Sequence, residues 1–159
     1  MSDFQILLVE DESPKLAHIR RFLRESFSQL SVVEARSVSS ALDSIDENDF
    51  DLLLLDMSLP TFDVGQGEQG GRPQGFGGIE ILRQMEMGGD SIATIVLTGY
   101  EAFPDETGQI IDLPTLRLRM TNEFPGVVKG VVHFNSALED WKIDFRQRIE
   151  AVLRSPQHG

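Results

Sequence analysis

Five short apolar runs alternate with stretches of helical periodicity, and this alternation most restricts what the chain can fold into. The runs are rich in Val, Ile and Leu and are typical of buried strands in a parallel sheet. They cover residues 5–9, 31–35, 51–55, 94–97 and 130–134. Strands that alternate with helices and are joined by right-handed crossovers predict a doubly wound α/β fold, an open five-stranded parallel sheet.

Apolar stripes at helical spacing predict the helices between these strands. The clearest stripes are Leu16/Ile19/Leu23/Phe27, Val38/Leu42/Ile45, Ile79/Leu82/Met85 and Leu138/Trp141/Phe145/Ile149/Val152. We expect the first helix to start at Ser13 with Pro14 in its first turn, and the third to stop at Gly88-Gly89. Asn135 and Ser136 are candidate caps for the last helix.

Composition limits the classes of function. The chain has 159 residues, 40% of them apolar, which is enough for one domain with a real core. It has no cysteine, so disulfides and thiolate metal sites are excluded. A net charge of −12 disfavours direct nucleic-acid binding. No leader peptide or membrane-spanning run is recognisable, so we expect a cytoplasmic protein that does not enter a membrane.

Acidic residues follow two of the predicted strands, and a hydroxyl residue ends a third. Strand one runs into Glu10 and Asp11, strand three into Asp56, and strand four into Thr98. In the flavodoxin-like strand order 2-1-3-4-5, strands one and three are neighbours, so their carboxylates would converge at the ligand-binding edge of the sheet. Three such acids predict a site for a hard cation, and Mg²⁺ suits these oxygen ligands.

Three segments resemble the receiver domain of two-component response regulators. ILLVEDE is similar to the first strand and acidic pair of that family, DLLLLDMSLP to its phospho-acceptor strand and turn, and IVLTGY to its fourth strand. The resemblance spans essentially the whole chain and is close up to Pro60 and again from Gly78 to Tyr100. It implies a flavodoxin-like receiver fold.

The resemblance also implies roles for single residues. Asp56 would accept a phosphoryl group from a histidine kinase or phosphotransfer protein, and Thr98 would hydrogen bond to that group. Asp11 and Asp56 would ligate Mg²⁺, Glu10 would act mainly through bound water, and the main-chain carbonyl of Ser58 would complete the protein ligands. A carboxylate is a poor nucleophile towards an anionic phosphoryl group unless a metal screens the repulsion.

A glycine-rich insertion separates Pro60 from the third helix. Its segment VGQGEQGG, residues 64–71, contains the dinucleotide-binding spacing G-x-G-x-x-G. That fingerprint requires a direct strand-turn-helix, whereas here its first glycine, Gly65, comes well after Asp56 and further residues precede the helix. We therefore interpret residues 64–77 as a flexible insertion with a partner-binding function and do not favour nucleotide binding.

The segment GYEAFPDETGQIIDLPTLRLRMTNEFPGVVKG departs from the family pattern. Prolines interrupt the place of a regular fourth helix, and the period of apolar residues predicts a helix only at about 113–124. The family also has a lysine at the end of strand five that pairs with the acceptor and its phosphoryl group. Counting back from the last helix puts His133 or Phe134 at that position, while Lys129 would serve only if the strand ended earlier.

We interpret residues 1–155 as a single receiver domain, with a tail at 156–159 and no attached output domain. It would accept a phosphoryl group on Asp56 and signal through contacts with an output protein that the sequence does not identify; homodimerisation stays open. One alternative is a receiver-like binding module that is never phosphorylated. The other is a Mg²⁺-dependent phosphatase of the haloacid dehalogenase type, although that class needs an acid two residues after its nucleophile, where Ser58 stands.

Overall fold

The computed structural model describes residues 3–60, 62, 77–100, 102–104 and 107–155. Its elements follow one another as strands and helices along the chain. They are β1 (Phe4–Val9), α1 (Ser13–Ser26), β2 (Leu30–Ala35), α2 (Val38–Glu47), β3 (Leu52–Leu55), α3 (Gly77–Met87), β4 (Thr94–Thr98), β5 (Ala102–Pro104), β6 (Ile110–Asp112), α4 (Leu113–Glu123), β7 (Val128–His133) and α5 (Asp140–Arg154).

The main sheet has five parallel strands in the order β2-β1-β3-β4-β7. Counting only these strands, this is the predicted order 2-1-3-4-5, and the predicted doubly wound fold is confirmed. Side chains alternate between the two faces, so Leu53 and Leu55 belong to one apolar cluster while Leu52 and Leu54 belong to the other. Helices α2, α3 and α4 cover the first face, and α1 and α5 cover the second.

The helix boundaries differ from the sequence prediction at the end of α1, where Phe27 follows the last helical residue in an extended conformation, and at the start of α5. Leu138 was assigned to the apolar stripe of this helix, but it precedes the helix and is 53% exposed. Asn135 was a candidate cap, yet its Oδ1 accepts a hydrogen bond from the N–H of Ala137, within the turn before α5. The rest of the predicted stripe is buried against the sheet.

The segment between β4 and β7 holds an element that the sequence did not predict. Strands β5 and β6 pair as an antiparallel two-stranded sheet. Helix α4 follows at once, with Asp112 as its cap: the carboxylate accepts a hydrogen bond from the N–H of Thr115 at 2.9 Å. This helix confirms the prediction at 113–124, and it buries Leu116 and Met120.

Most of the glycine-rich insertion, residues 64–76, lies outside the described residues, and residue 77 is already the first of α3. At the start of this helix, Gly78 approaches the end of β3 closely. A Cβ atom there would lie 2.6 Å from the main-chain oxygen of Asp56, and the N–H of Gly78 donates to the oxygen of Met57 at 3.0 Å. Only glycine therefore fits at this position without a shift of the backbone. None of the described helices is long and apolar enough to cross a bilayer.

Candidate functional site

The pairing of β1 with β3 sets the position of the acidic residues. Val9 and Leu55 are register partners, and they are the last residues of their strands. The N–H of Asp56 donates to the oxygen of Val9 at 3.1 Å. Glu10 and Asp56 therefore follow directly from adjacent parallel strands, at the carboxyl edge of the sheet.

The structure brings Glu10, Asp11 and Asp56 together. Each offers a carboxylate oxygen, and these oxygens all lie within 4.8 Å of one another. Glu10 and Asp56 are buried, whereas Asp11 is half-buried. We name these three residues the acidic cluster. Its hard oxygen donors fit a divalent cation such as Mg²⁺.

A buried lysine that the sequence analysis missed lies in contact with this cluster. The Nζ of Lys15 is 2.6 Å from Oε1 of Glu10 and 3.3 Å from Oδ1 of Asp56, and it donates to the oxygen of Leu97 at 2.7 Å. Its side chain is only 3% exposed. Lysine is almost never fully buried unless its charge is paired, and here both acidic partners come from strand ends.

The signal for Lys15 was present in the periodicity of α1. Lys15 lies one helical turn before Ile19, on the face that also buries Phe22, although a lysine would ordinarily point to solvent. A cation on an apolar stripe, in the first turn of a helix that follows an acidic pair, predicts an inward-facing ion pair.

Burial and the charges of neighbouring groups shift the pKa values of the ionisable side chains in the site. Burial raises the pKa of Glu10 to about 8, and the nearby charge of Asp56 acts in the same direction. The pKa of Asp11 is also raised, first by burial and then by Asp56. Burial lowers the pKa of Lys15, but Asp56 and Glu10 outweigh that effect, so its pKa is raised and it stays charged. A bound cation would relieve the excess negative charge.

The oxygens of Asp56 differ in their surroundings. Oδ1 accepts a hydrogen bond from the N–H of Met57 at 2.8 Å and faces Lys15. No described residue hydrogen bonds to Oδ2. The side chain lines an open crevice of about 650 Å³ together with Lys15, Gly99, Tyr100 and Phe134.

Thr98 and Gly99 stand at the end of β4, beside the crevice. Thr98 is fully buried, and its hydroxyl oxygen accepts a hydrogen bond from the N–H of Tyr100 at 3.3 Å. A Cβ atom on Gly99 would meet only the oxygen of Phe134, at 3.9 Å. A Cβ atom would therefore fit at Gly99 without a clash, and no close contact demands glycine there.

Lys129 does not lie near the acidic cluster, so its candidacy as the family lysine is wrong. Lys129 is the second residue of β7, is exposed, and lines a separate pocket with Phe4 and Asp51 at the amino edge of the sheet. It lies about 13 Å along the strand from His133, the last residue of β7. A charge at the amino edge cannot reach carboxylates at the carboxyl edge, so Lys129 does not join the acidic cluster.

His133 and Phe134 lie where the family lysine was sought. His133 is the register partner of Thr98, and the N–H of Phe134 donates to the oxygen of Thr98 at 2.7 Å. The ring of Phe134 lies with its centroid 5.8 Å from the Nζ of Lys15. Phe134, the residue after β7, thus places an aromatic ring beside the ammonium group that arrives from α1, and the face of the ring attracts that group.

Comparison with known proteins assigns the family. Residues 6–113, more than half of the chain, match the family model of the response regulator receiver domain. The chain is similar to the Detocs response regulatory protein DtcB of Enterobacter cloacae (strain JD6301). The two are 24% identical over 147 residues, which cover 91% of this chain and 97% of DtcB.

Solved structures support the same fold. The RcsB response regulator of Salmonella typhimurium is 19% identical with a TM-score of 0.67, and the match covers 98% of this chain and 64% of RcsB. The response regulator TrrA of Thermotoga maritima, in complex with Mg(2+)-BeF, is 17% identical with a TM-score of 0.58, and the match covers 93% of this chain and 99% of TrrA. Phosphorylation and magnesium binding are typical of this family of two-component signalling modules. The chain belongs to the response regulator receiver domain family.

Proposed function

We propose that this chain is a receiver that accepts a phosphoryl group on Asp56 and signals through protein contacts. The observation that carries the proposal is the setting of the Asp56 carboxylate. Oδ1 is held by Met57 and Lys15, while Oδ2 has no hydrogen-bond partner among the described residues and its side chain lines the crevice. One oxygen is thereby oriented, and the other is left to react.

The donor in this proposal is a phosphorylated histidine of a kinase or phosphotransfer protein. Oδ2 of Asp56 attacks phosphorus and forms a P–O bond, while the P–N bond to the donor imidazole breaks. The imidazole nitrogen takes the electron pair of that bond and then a proton. Gly99 lines the crevice and adds no side chain to the space through which the donor would approach.

Glu10, Asp11 and Asp56 would hold Mg²⁺, with the carbonyl of Ser58 as a further ligand. With the three carboxylates ionised and Lys15 protonated, these side chains carry a net charge of −2, which one divalent cation balances. When bound, the ion screens the repulsion between the carboxylate and the incoming phosphoryl group. The chain's own residues position the acceptor oxygen beside it.

The hydroxyl of Thr98 is proposed to donate a hydrogen bond to the phosphoryl group. In the structure its oxygen accepts from the N–H of Tyr100, and the side chain is buried behind the crevice. To reach a group on Asp56, the hydroxyl must turn towards the acceptor. Tyr100 and the segment after it would follow this movement and present a changed surface to the output protein.

The proposal extends to location and partners. It places the protein in the cytoplasm, with a kinase or phosphotransfer protein as donor and an output protein bound through the altered surface, and without direct contact to nucleic acid. The insertion at residues 64–77 is proposed as part of that contact surface. Its position in the sequence, between the acceptor turn and α3, supports a place near the acceptor.

Intact-mass measurement tests the proposal. Incubation with a small acyl phosphate and Mg²⁺ should add one phosphoryl group to the wild type and none to Asp56→Asn. Omission of Mg²⁺ should abolish the modification. A wild type that stays unmodified with both the small donor and a phosphorylated kinase domain would show a binding module that is never phosphorylated.

A further inference from the structure

We propose that Lys15 is the cation that pairs with the phosphoryl group on Asp56. The inference rests on the proposed function and extends it, because it assigns to the first turn of α1 the charge that the family resemblance places at the end of the last strand. Among the described residues, Lys15 is the one cation whose charged atom lies within 4 Å of Asp56.

The three donor hydrogens of the ammonium group are unequally used. The contact with Glu10, at 2.6 Å, and the hydrogen bond to the oxygen of Leu97, at 2.7 Å, are short. The contact with Oδ1 of Asp56, at 3.3 Å, is longer than an ordinary charge-assisted hydrogen bond. The donor that faces Asp56 is therefore the one that can turn to a phosphoryl oxygen, while Glu10 and Leu97 keep the group in place.

The sequence and packing around Lys15 aim it at the crevice. Pro14 fixes the backbone of the first turn of α1, and Ile19 buries the same helix face against the sheet. The ring of Phe134, the residue after the end of β7, has its centroid 5.8 Å from the Nζ of Lys15. The positions where the last-strand lysine was sought hold His133 and Phe134, so the positive charge beside Asp56 comes from α1.

A lysine that served only to neutralise buried acids would behave differently. Its removal would cost stability, but once Mg²⁺ is bound it would leave the affinity for a phosphoryl group unchanged. A lysine that pairs with the phosphoryl group also stabilises the modified state. Affinity for a phosphoryl mimic at saturating Mg²⁺ separates the two roles.

The chain contains its own reporter for this test. Trp141 is the single tryptophan, and its ring centroid lies 4.8 Å from that of Phe134, which in turn faces Lys15. Titration with beryllofluoride at saturating Mg²⁺ can therefore be followed by tryptophan fluorescence. The rise in melting temperature on saturation gives a second reading that does not depend on fluorescence.

The matched variants are Lys15→Met, Lys15→Arg and Lys129→Met, each first checked for folding by circular dichroism. Lys15→Met should weaken beryllofluoride binding by about tenfold or more, as expected for the loss of a charge-assisted hydrogen bond. Lys15→Arg should recover part of that loss, and Lys129→Met should bind as the wild type does. If Lys15→Met fails to fold, Glu10→Gln is compared with the Glu10→Gln/Lys15→Met double variant, which removes one acid together with the lysine.

Two results would overturn the inference. Lys15→Met binding within about twofold of the wild type would show a purely structural lysine and leave the proposed function intact. A wild type that neither responds to beryllofluoride nor gains mass with the acyl phosphate would remove the proposed function and this inference together.

Discussion

Helix α1 carries two cations that pair with glutamates of the sheet in opposite environments. Lys15 meets Glu10 at 2.6 Å inside the crevice, and its side chain is 3% exposed. Arg20 donates two hydrogen bonds to Glu34, at 2.6 and 2.8 Å, and is 42% exposed. The contact distances are alike, so the difference between the pairs comes from burial and from the further acids around Glu10.

The two glutamates respond in opposite directions. The hydrogen bond from Arg20 lowers the pKa of Glu34. Burial, together with repulsion from Asp56, raises the pKa of Glu10 to about 8 despite its contact with Lys15. The crevice thus keeps more negative charge than its single lysine neutralises, whereas the surface pair is balanced. An excess of negative charge at the edge of the sheet is what a divalent cation can balance.

Among variants of the two ion pairs, Lys15→Met is expected to lower the stability of the protein most. Removing one partner of a buried pair leaves an uncompensated charge, so the free energy of unfolding should fall by about 3 kcal/mol in chelator. The loss in free energy of unfolding should be smaller at pH 6 than at pH 9, because at pH 6 the carboxyl of Glu10 can take up a proton and lose its charge. Urea unfolding measures both values. A loss no greater than that for Arg20→Gln would contradict the difference between the two pairs.

The raised pKa of Glu10 is expected to make the stability of the metal-free protein depend on pH. Between its ordinary pKa of 4.5 and about 8, folded Glu10 keeps a proton that the unfolded chain has released. The metal-free protein should therefore lose stability as the pH rises through this window, and the raised pKa of Asp11 acts in the same direction. Unfolding midpoints in chelator from pH 5 to pH 9 check this.

The matched control is Glu10→Gln, which should flatten the loss of stability with pH. Glu34 supplies the opposite sign: because its pKa is lowered, its contribution is present above the ordinary value of 4.5 and is lost as the pH falls through the folded value. A Glu10→Gln variant with the slope of the wild type would show that other groups set the pH dependence.

A smaller effect is expected from Asp56→Asn. One negative charge fewer in the acidic cluster should stabilise the metal-free protein by about 1 kcal/mol, or about 2–4 °C in melting temperature. The stabilisation that added Mg²⁺ gives should shrink, because a ligand is lost. Differential scanning fluorimetry with and without Mg²⁺ measures both changes. A lower melting temperature in chelator would mean that Asp56 is not repelled by its neighbours.

The smallest effect belongs to Arg20→Gln. An exposed ion pair gains little in water, so the unfolding midpoint should shift only slightly, and high salt should remove the difference from the wild type. Parallel urea titrations at low and high salt test this. A large loss of stability that persists at high salt would show that the Arg20–Glu34 pair behaves like the buried Lys15–Glu10 pair, which would contradict the difference between them.

The sequence was sufficient for those parts of the molecule that depend on local pattern. The runs around Leu53 and Ile95 are continuous and β-branched or leucine-rich, so their strands could be predicted together with Asp56 and Thr98 at their ends. Helix α4 was predicted because Leu116 and Met120 keep one face of a helix. The pair β5 and β6 was missed, because two three-residue strands carry too little periodicity to stand out.

The positions of the two lysines depended on tertiary structure. Lys129 could be placed only once the ends of β7 were known, and the strand begins at Val128 and ends at His133. The buried position of Lys15 depends on contacts with Leu97 and Asp56, which are far from it in the sequence. The helical period placed Lys15 on the buried face, but the identity of its partners required the order of the strands.

Locating the modified residue tests whether Asp56 is the acceptor. After reaction with an acyl phosphate and Mg²⁺, borohydride reduces the aspartyl phosphate to a primary alcohol and releases the phosphate, so that a modified aspartate is labelled as homoserine. Trypsin then separates the acids of the site. Glu10 and Asp11 fall in the peptide 1–15, whereas Asp56 falls in 37–83, since Arg72 precedes a proline. We expect a single label, at Asp56, and no label in Asp56→Asn. A label on the peptide 1–15, or elsewhere in 37–83, would contradict this expectation.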